Sequence, residues 1–179
     1  MQTVKIHNKL FHQYISAAEI QDRIVEISKE LTKKFADKNP VFIVVLRGSF
    51  MFAADILRQF NDPCEIEFVK LSSYDGMQST GKIKIDLATN ASKINNRDII
   101  IIEDIVDSGL TMHFFMHYLQ EFQPKSVSLV SFLYKPENMK KDVQIDHIGF
   151  TIPDLFVIGY GLDYDGNGRN LAAVYRLAL

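Results

Sequence analysis

The chain has 179 residues, 47% of them hydrophobic and 23% charged, with a formal net charge of -2. That balance excludes a disordered chain and argues against nucleic acid or an acidic membrane surface as a partner. A single cysteine, Cys64, excludes an internal disulfide and a multi-cysteine metal site. The opening MQTVKIHNKL lacks the apolar core of a signal peptide, and no apolar run approaches the roughly 18 residues of a membrane span, so a cytoplasmic protein without a membrane partner is expected.

In chain order, Ser16 and Glu19 form a capping-box pattern, and Ile20, Ile24, Ile27, Leu31 and Phe35 recur at helical spacing. A helix is predicted over 17–36. VFIVVL (41–46) is a β-branched run without polar alternation, which predicts a central strand covered on both faces. Arg47-Gly48-Ser49 breaks it, and 50–60 predicts a helix laid back on the sheet. Two strands, 65–74 and 82–88, flank the polar stretch 75–81, where Gly76 and Gly81 offer hinges.

A second unbroken run, DIIIIEDIV (98–106), leads through DSGLT (107–111) into a periodic segment predicted as a helix over 112–122. Pro124 stops it. SVSLVSFLY (126–134) is a third buried strand, and 156–160 and 171–179 are shorter candidates. Strands alternating with helices predict an α/β fold: a mostly parallel central sheet flanked by helices. One domain over 1–179 is expected, with a core of about 16–145 and a small hood from the chain ends, about 1–15 and 146–179.

The most informative stretch is 99–112. Four isoleucines deliver Glu103 and Asp104 to a strand end, where two carboxylates cost energy unless a cation, hydroxyls or a cationic side chain face them. The turn Asp107-Ser108-Gly109-Leu110-Thr111 then enters a helix, so unpaired N–H groups, two hydroxyls and the helix dipole make an anion site. Acids for sugar hydroxyls and metal, beside a cradle for phosphate, describe a pocket for a phosphorylated sugar.

IIIIEDIVDSGLT resembles, over its whole length, the donor-binding signature of the phosphoribosyltransferase family, and within it the hypoxanthine-guanine phosphoribosyltransferases. Further matches follow in order at 44–57, 72–85, 132–137 and 153–171. The resemblance implies an α/β fold of the type I kind and transfer of ribose 5-phosphate from phosphoribosyl diphosphate to a purine, with Mg²⁺. By it Glu103 and Asp104 hold the ribose hydroxyls and the metal, and Asp107, Ser108, Gly109, Leu110 and Thr111 bind the 5′-phosphate. Asp107 also exchanges a proton with the purine.

Leu46-Arg47-Gly48 resembles the family's diphosphate loop with its non-proline cis peptide, and Arg169 supplies a second cation there. Asp163 resembles the acid that reaches a second Mg²⁺ through water, on the purine side of the site. Lys135 matches the lysine that donates to the oxygen at purine C6; having donors only, it favours hypoxanthine, guanine or xanthine over adenine. The resemblance further implies that Phe156 stacks on the purine and that the Val157 backbone bonds its edge. Ser73 and Tyr74 open the family's lid, and relatives are commonly dimers or tetramers.

Leu110 stands where many relatives carry a polar or basic residue, and Arg47 and Ser72 where some carry lysine. His113 and His117 have a zinc-compatible spacing without a third ligand and are read as surface or packing residues. Two other functions compete. A non-catalytic regulator on the same fold would sense the donor and bind nucleic acid, which calls for a basic face that the net charge of -2 opposes. A phosphoacceptor receiver domain would carry its acidic pair near the chain start.

Overall fold

The computed structural model describes residues 2–73, 83–87 and 91–178. Its main sheet has six strands: β3 (Val41–Leu46), β4 (Glu65–Ser73), β5 (Ile83–Leu87), β6 (Asp98–Val106), β7 (Ser126–Tyr134) and β8 (His147–Thr151). Their order is β5-β4-β3-β6-β7-β8. All neighbours are parallel except β5, which returns antiparallel along β4.

Alternate residues of the central strands serve opposite faces. Ile100 and Ile102 pack with Val44 and Phe132 against the helices α1 (Ala17–Phe35) and α2 (Phe50–Gln59). Ile99 and Ile101 pack with Ile43 and Leu129 against Met112, Phe115 and Leu119 of α3 (Leu110–Gln120). All four isoleucines are fully buried, which accounts for the absence of polar alternation in β6; each contributes roughly 1.5–3 kcal/mol by leaving water. α1 begins on a complete capping box. Ser16 Oγ accepts from Glu19 N–H at 3.2 Å, and Glu19 Oε2 accepts from Ser16 N–H at 2.9 Å.

α3 starts two residues earlier than its apolar periodicity indicated. His113 N–H donates to Gly109 C=O at 2.9 Å, so Leu110 and Thr111 of the cradle already form the first helical turn. The end of the chain also differs from expectation. β8, from within the expected hood segment, pairs with β7 in the main sheet; its mixed, half-buried sequence HIGFT carries no run or alternation to announce it. The candidates 156–160 and 171–179 shorten to β9 (Val157–Ile158) and β10 (Val174–Leu177).

β9 and β10 join β1 (Thr3–Ile6) and β2 (Lys9–Ile15), neither foreseen as a strand, in an antiparallel sheet of order β1-β2-β10-β9. Both ends of the described chain therefore meet in one small sheet. In the main sheet, β3 leads through α2 to β4 on one side, and β6 leads through α3 to β7 on the other. The chain switches direction between β3 and β6, where open α/β sheets form a crevice at the strands' carboxyl ends.

Candidate active site

The crevice is edged by the residues that leave those strand ends. At the end of β6, Glu103 is 8% exposed and its Oε2 has no hydrogen-bond partner. Burial, and secondarily the charge of Asp104, push its carboxyl well above the usual range. Asp104 accepts from Ile105 N–H at 2.7 Å through Oδ1. Burial raises it to about 6, opposed by that hydrogen bond and by the charge of Arg169.

The loop after β3 lies on Asp104. The Leu46–Arg47 peptide bond is cis without a proline, and a Cβ on Gly48 would stand 1.4 Å from Asp104 Oδ2. From the other side, a Cβ on Gly161 would stand 1.9 Å from Gly48 O. Gly161 carries φ +99, so both the space and the backbone there demand glycine. Its carbonyl accepts from Arg169 Nη1 at 2.7 Å, and Arg169 Nη2 pairs with Asp163 Oδ1 at 2.5 Å. Asp163 Oδ2 takes the Gly166 N–H at 2.7 Å. Arg47 itself is exposed.

On the α3 side, Gly109 turns the chain with φ +74. A Cβ there would meet Lys141 O at 2.4 Å, and Ser108 C=O accepts from the N–H groups of Lys140 and Lys141 at 2.9 and 3.2 Å. The segment after β7 thus backs the cradle. A shallow pocket opens along Glu103, Asp107, Ser108, Gly109 and Thr111. Leu110 is 44% exposed and does not line it, and its N–H donates to Ser108 Oγ at 3.4 Å.

Lys135 extends from the end of β7. It is 7% exposed, with Nζ 3.0 Å from Asp154 Oδ1 and 3.4 Å from Asp107 Oδ2. Two residues beyond Asp154, Phe156 is 48% exposed, its ring edge-on to Tyr164 at 5.8 Å, and lines an open pocket with Asp154 and Leu155. Val157 is buried and paired with Arg176.

The expected residues therefore form two groups, Gly48, Asp104, Asp163 and Arg169 on one side and Asp107 to Thr111 with Lys135 on the other; Glu103, next to Asp104 on β6, lines the pocket with the second group. Ser73 ends β4; Tyr74 and 75–81 lie outside the described residues. His117 Nδ1 donates to His113 C=O at 3.0 Å, and among the described residues no group of three metal-ligating side chains occurs. Sequence reasoning missed Asp154, which holds Lys135 from 19 residues away, and Tyr160, whose hydroxyl donates to Asp55 across 105 residues. No local spacing signals either contact.

A mostly parallel sheet, with buried acids and a glycine turn entering a helix at its switch point, defines an α/β protein of the open-sheet class. The phosphoribosyl transferase domain matches residues 13–165. The hypoxanthine-guanine phosphoribosyltransferase of Bacillus subtilis is 42% identical over 88% of this chain and 87% of its own length. The bifunctional protein TilS/HprT of Listeria monocytogenes is 39% identical over 93% of this chain, which spans only 26% of that longer protein. The crystal structure of a hypoxanthine phosphoribosyltransferase from Staphylococcus aureus superposes with a TM-score of 0.87 at 36% identity, covering 99% of this chain and 98% of the other. The chain belongs to the phosphoribosyltransferase family, in its hypoxanthine-guanine branch.

Proposed function

We propose that this protein transfers the 5-phosphoribosyl group from phosphoribosyl diphosphate to hypoxanthine or guanine, giving the purine nucleotide and diphosphate. The observation that carries the reading is the meeting of Lys135 with Asp107, 3.4 Å apart, at the mouth of the phosphate cradle. A donor-only side chain for a 6-oxopurine and a carboxylate for its ring proton stand together where the sugar's anomeric carbon would lie.

In the reaction the bond from the anomeric carbon to the diphosphate oxygen breaks, and the diphosphate keeps the electron pair. A purine ring nitrogen forms the new bond and its proton passes to Asp107. The cradle from Asp107 to Thr111 fixes the 5′-phosphate, Glu103 and Asp104 take the ribose hydroxyls, and Phe156 stacks on the base whose edge the Val157 backbone meets. Arg47, Gly48 and Arg169 receive the leaving diphosphate. Preorganised cations and N–H groups there stabilise the charge that develops as the bond breaks, the kind of contribution that dominates many enzyme accelerations.

The acids also fit a hard divalent cation. Glu103 has a buried oxygen without a partner beside a second carboxylate, and Mg²⁺ characteristically takes one or two carboxylates and completes its shell with substrate oxygens and water. Glu103, Asp104 and, through water, Asp163 would hold it, and it would supply charge neutralisation for the diphosphate. Ser73 and Tyr74 begin the lid that keeps water from the donor. We propose one domain, with the sheet made from both chain ends as its hood, in a cytoplasmic homodimer or homotetramer. Ile66 and Phe68, alternating onto one face of β4 and 44% and 51% exposed, support assembly.

The test is a spectrophotometric assay of the purified protein with phosphoribosyl diphosphate, Mg²⁺ and, separately, hypoxanthine, guanine, xanthine and adenine. Nucleotide is expected from 6-oxopurines and not from adenine. Donor binding without turnover of any base would overturn the reading.

A further inference from the structure

Tyr160 takes no part in this scheme, yet its placement is demanding. Its backbone is left-handed, with φ +48, a region that bulky side chains rarely occupy. Its ring is 2% exposed and packs on Phe132 with centroids 4.9 Å apart. The hydroxyl ends on α2, donating to Asp55 Oδ2 at 2.6 Å. Gln21 Nε2 donates to the same oxygen at 3.0 Å, and Arg58 Nη1 lies 3.3 Å from Oδ1. Asp55 is thus held from two other elements and from its own helix. Burial first, then the Asp55 carboxylate, push the phenol's pKa above its ordinary value, so it remains a donor.

Both ends of this hydrogen bond run directly into the diphosphate side of the site. α2 starts at Phe50, immediately after Gly48 and Ser49, and Asp55 sits about one and a half turns along it. Tyr160 is bonded to Gly161, which presses on Gly48 O and whose carbonyl carries Arg169, the partner of Asp163. The loop bearing Arg169 and Asp163 therefore touches the β3–α2 unit at two points, the Gly161–Gly48 contact and the Tyr160–Asp55 hydrogen bond. Two contacts fix an orientation that one leaves free to pivot.

We infer that the Tyr160 hydroxyl, held by Asp55, is a positioning group that sets Arg169 and Asp163 against the Arg47–Gly48 loop for recognition of the diphosphate of the donor. The inference deepens the function proposed above and rests on it. A phenylalanine would fill the same space, so packing alone does not call for the hydroxyl. A small misalignment of groups that grip a substrate is costly to recognition even when the fold survives. Lys135 and Phe156 receive no contact from this hydrogen bond, so its loss bears on the donor and not on the purine.

The experiment compares wild type, Tyr160→Phe and Asp55→Asn in two-substrate steady-state kinetics and in calorimetric titration with phosphoribosyl diphosphate in Mg²⁺ buffer. For Tyr160→Phe the donor KM and Kd are expected to rise about tenfold, the scale of one hydrogen bond to a charged group, with the hypoxanthine KM unchanged. Asp55→Asn keeps an acceptor oxygen and is expected to show a smaller rise of the same kind. An unchanged donor Kd in Tyr160→Phe would overturn the inference, as would a loss of active protein in which neither KM moves. A wild type that binds the donor and turns over no base would overturn the proposed function instead, leaving the titration to decide the role of Tyr160.

Discussion

A Cβ built on Gly48 would stand 1.4 Å from Asp104 Oδ2 and 2.4 Å from its Cγ. The loop after β3 and the acid at the end of β6 thus share a contact that admits only hydrogen. Gly48 has no room to retreat, because its own carbonyl oxygen is pressed by Gly161 from the other side. Gly48→Ala must therefore displace either Asp104 or the loop after β3, which we propose to receive the diphosphate. We expect kcat/KM for the donor to fall by about a hundredfold, the scale of an ångström-sized misplacement in an active site. Circular dichroism and thermal unfolding, run beside initial-rate assays, check that the fold survives; wild-type kinetics in a folded variant would refute the argument.

Lys135 is nearly buried between two carboxylates, Asp154 at 3.0 Å and Asp107 at 3.4 Å. Lys135→Met keeps the length and apolar stem of the side chain and removes every donor. A site that has lost its polar contact to the base discriminates poorly, so the KM for hypoxanthine is expected to rise by roughly ten- to a hundredfold. Rates with adenine relative to hypoxanthine are expected to increase. Competition assays with both bases measure this ratio, and an unchanged ratio would remove Lys135 from base recognition.

The parts of the fold legible in the sequence are those whose signal is local. β3, β6 and β7 announce themselves as apolar runs because both faces are covered, and α1 carries its own cap and stripe. The turn at Asp107 into a helix was legible for the same reason, since turn chemistry and the following helix are adjacent in the chain. The hairpin β1–β2 was not. Its second strand mixes exposed, half-buried and buried residues without a clean period, and it is completed by β10, more than 150 residues away. β9 spans two residues and exists through its pairing with β10. The contacts Gly48–Asp104, Lys135–Asp107 and Tyr160–Asp55 depend on strand order and could be known only from the structure.

Asp107 stands half-exposed at the start of the cradle, where an asparagine retains the shape of the turn and loses the capacity to take a proton. Asp107→Asn is therefore expected to fold and to bind the donor much as wild type does. Its kcat is expected to drop by roughly 10²–10⁴, the usual contribution of a general acid or base. Calorimetric donor titration alongside turnover separates the two effects. A variant that lost donor affinity and kept kcat would place Asp107 in phosphate binding alone.

Glu103 and Asp104 set a conflict between stability and function. Burial raises Glu103 well above its ordinary 4.5, and Asp104 from 3.8 to about 6. A carboxyl whose folded pKa exceeds its unfolded one binds its proton more tightly in the native state. Its contribution to stability is then full below the unfolded value and is lost as pH rises through the folded value. For Asp104 that window runs from 3.8 to about 6, and for Glu103 it opens at 4.5 and extends higher. The ligand-free protein should accordingly lose stability from this pair on passing from mild acid to neutrality. Glu103→Gln replaces the buried carboxyl by a neutral amide of the same shape, so its Tm relative to wild type is expected to rise as pH is taken from about 5 to about 8, while turnover falls for want of the ribose and metal contact. Thermal unfolding of the two proteins across that range, without ligand, measures the gap. A difference in Tm that stays constant with pH would mean that Glu103 is already ionised and compensated in the native state, and the orphaned Oε2 would then need another partner.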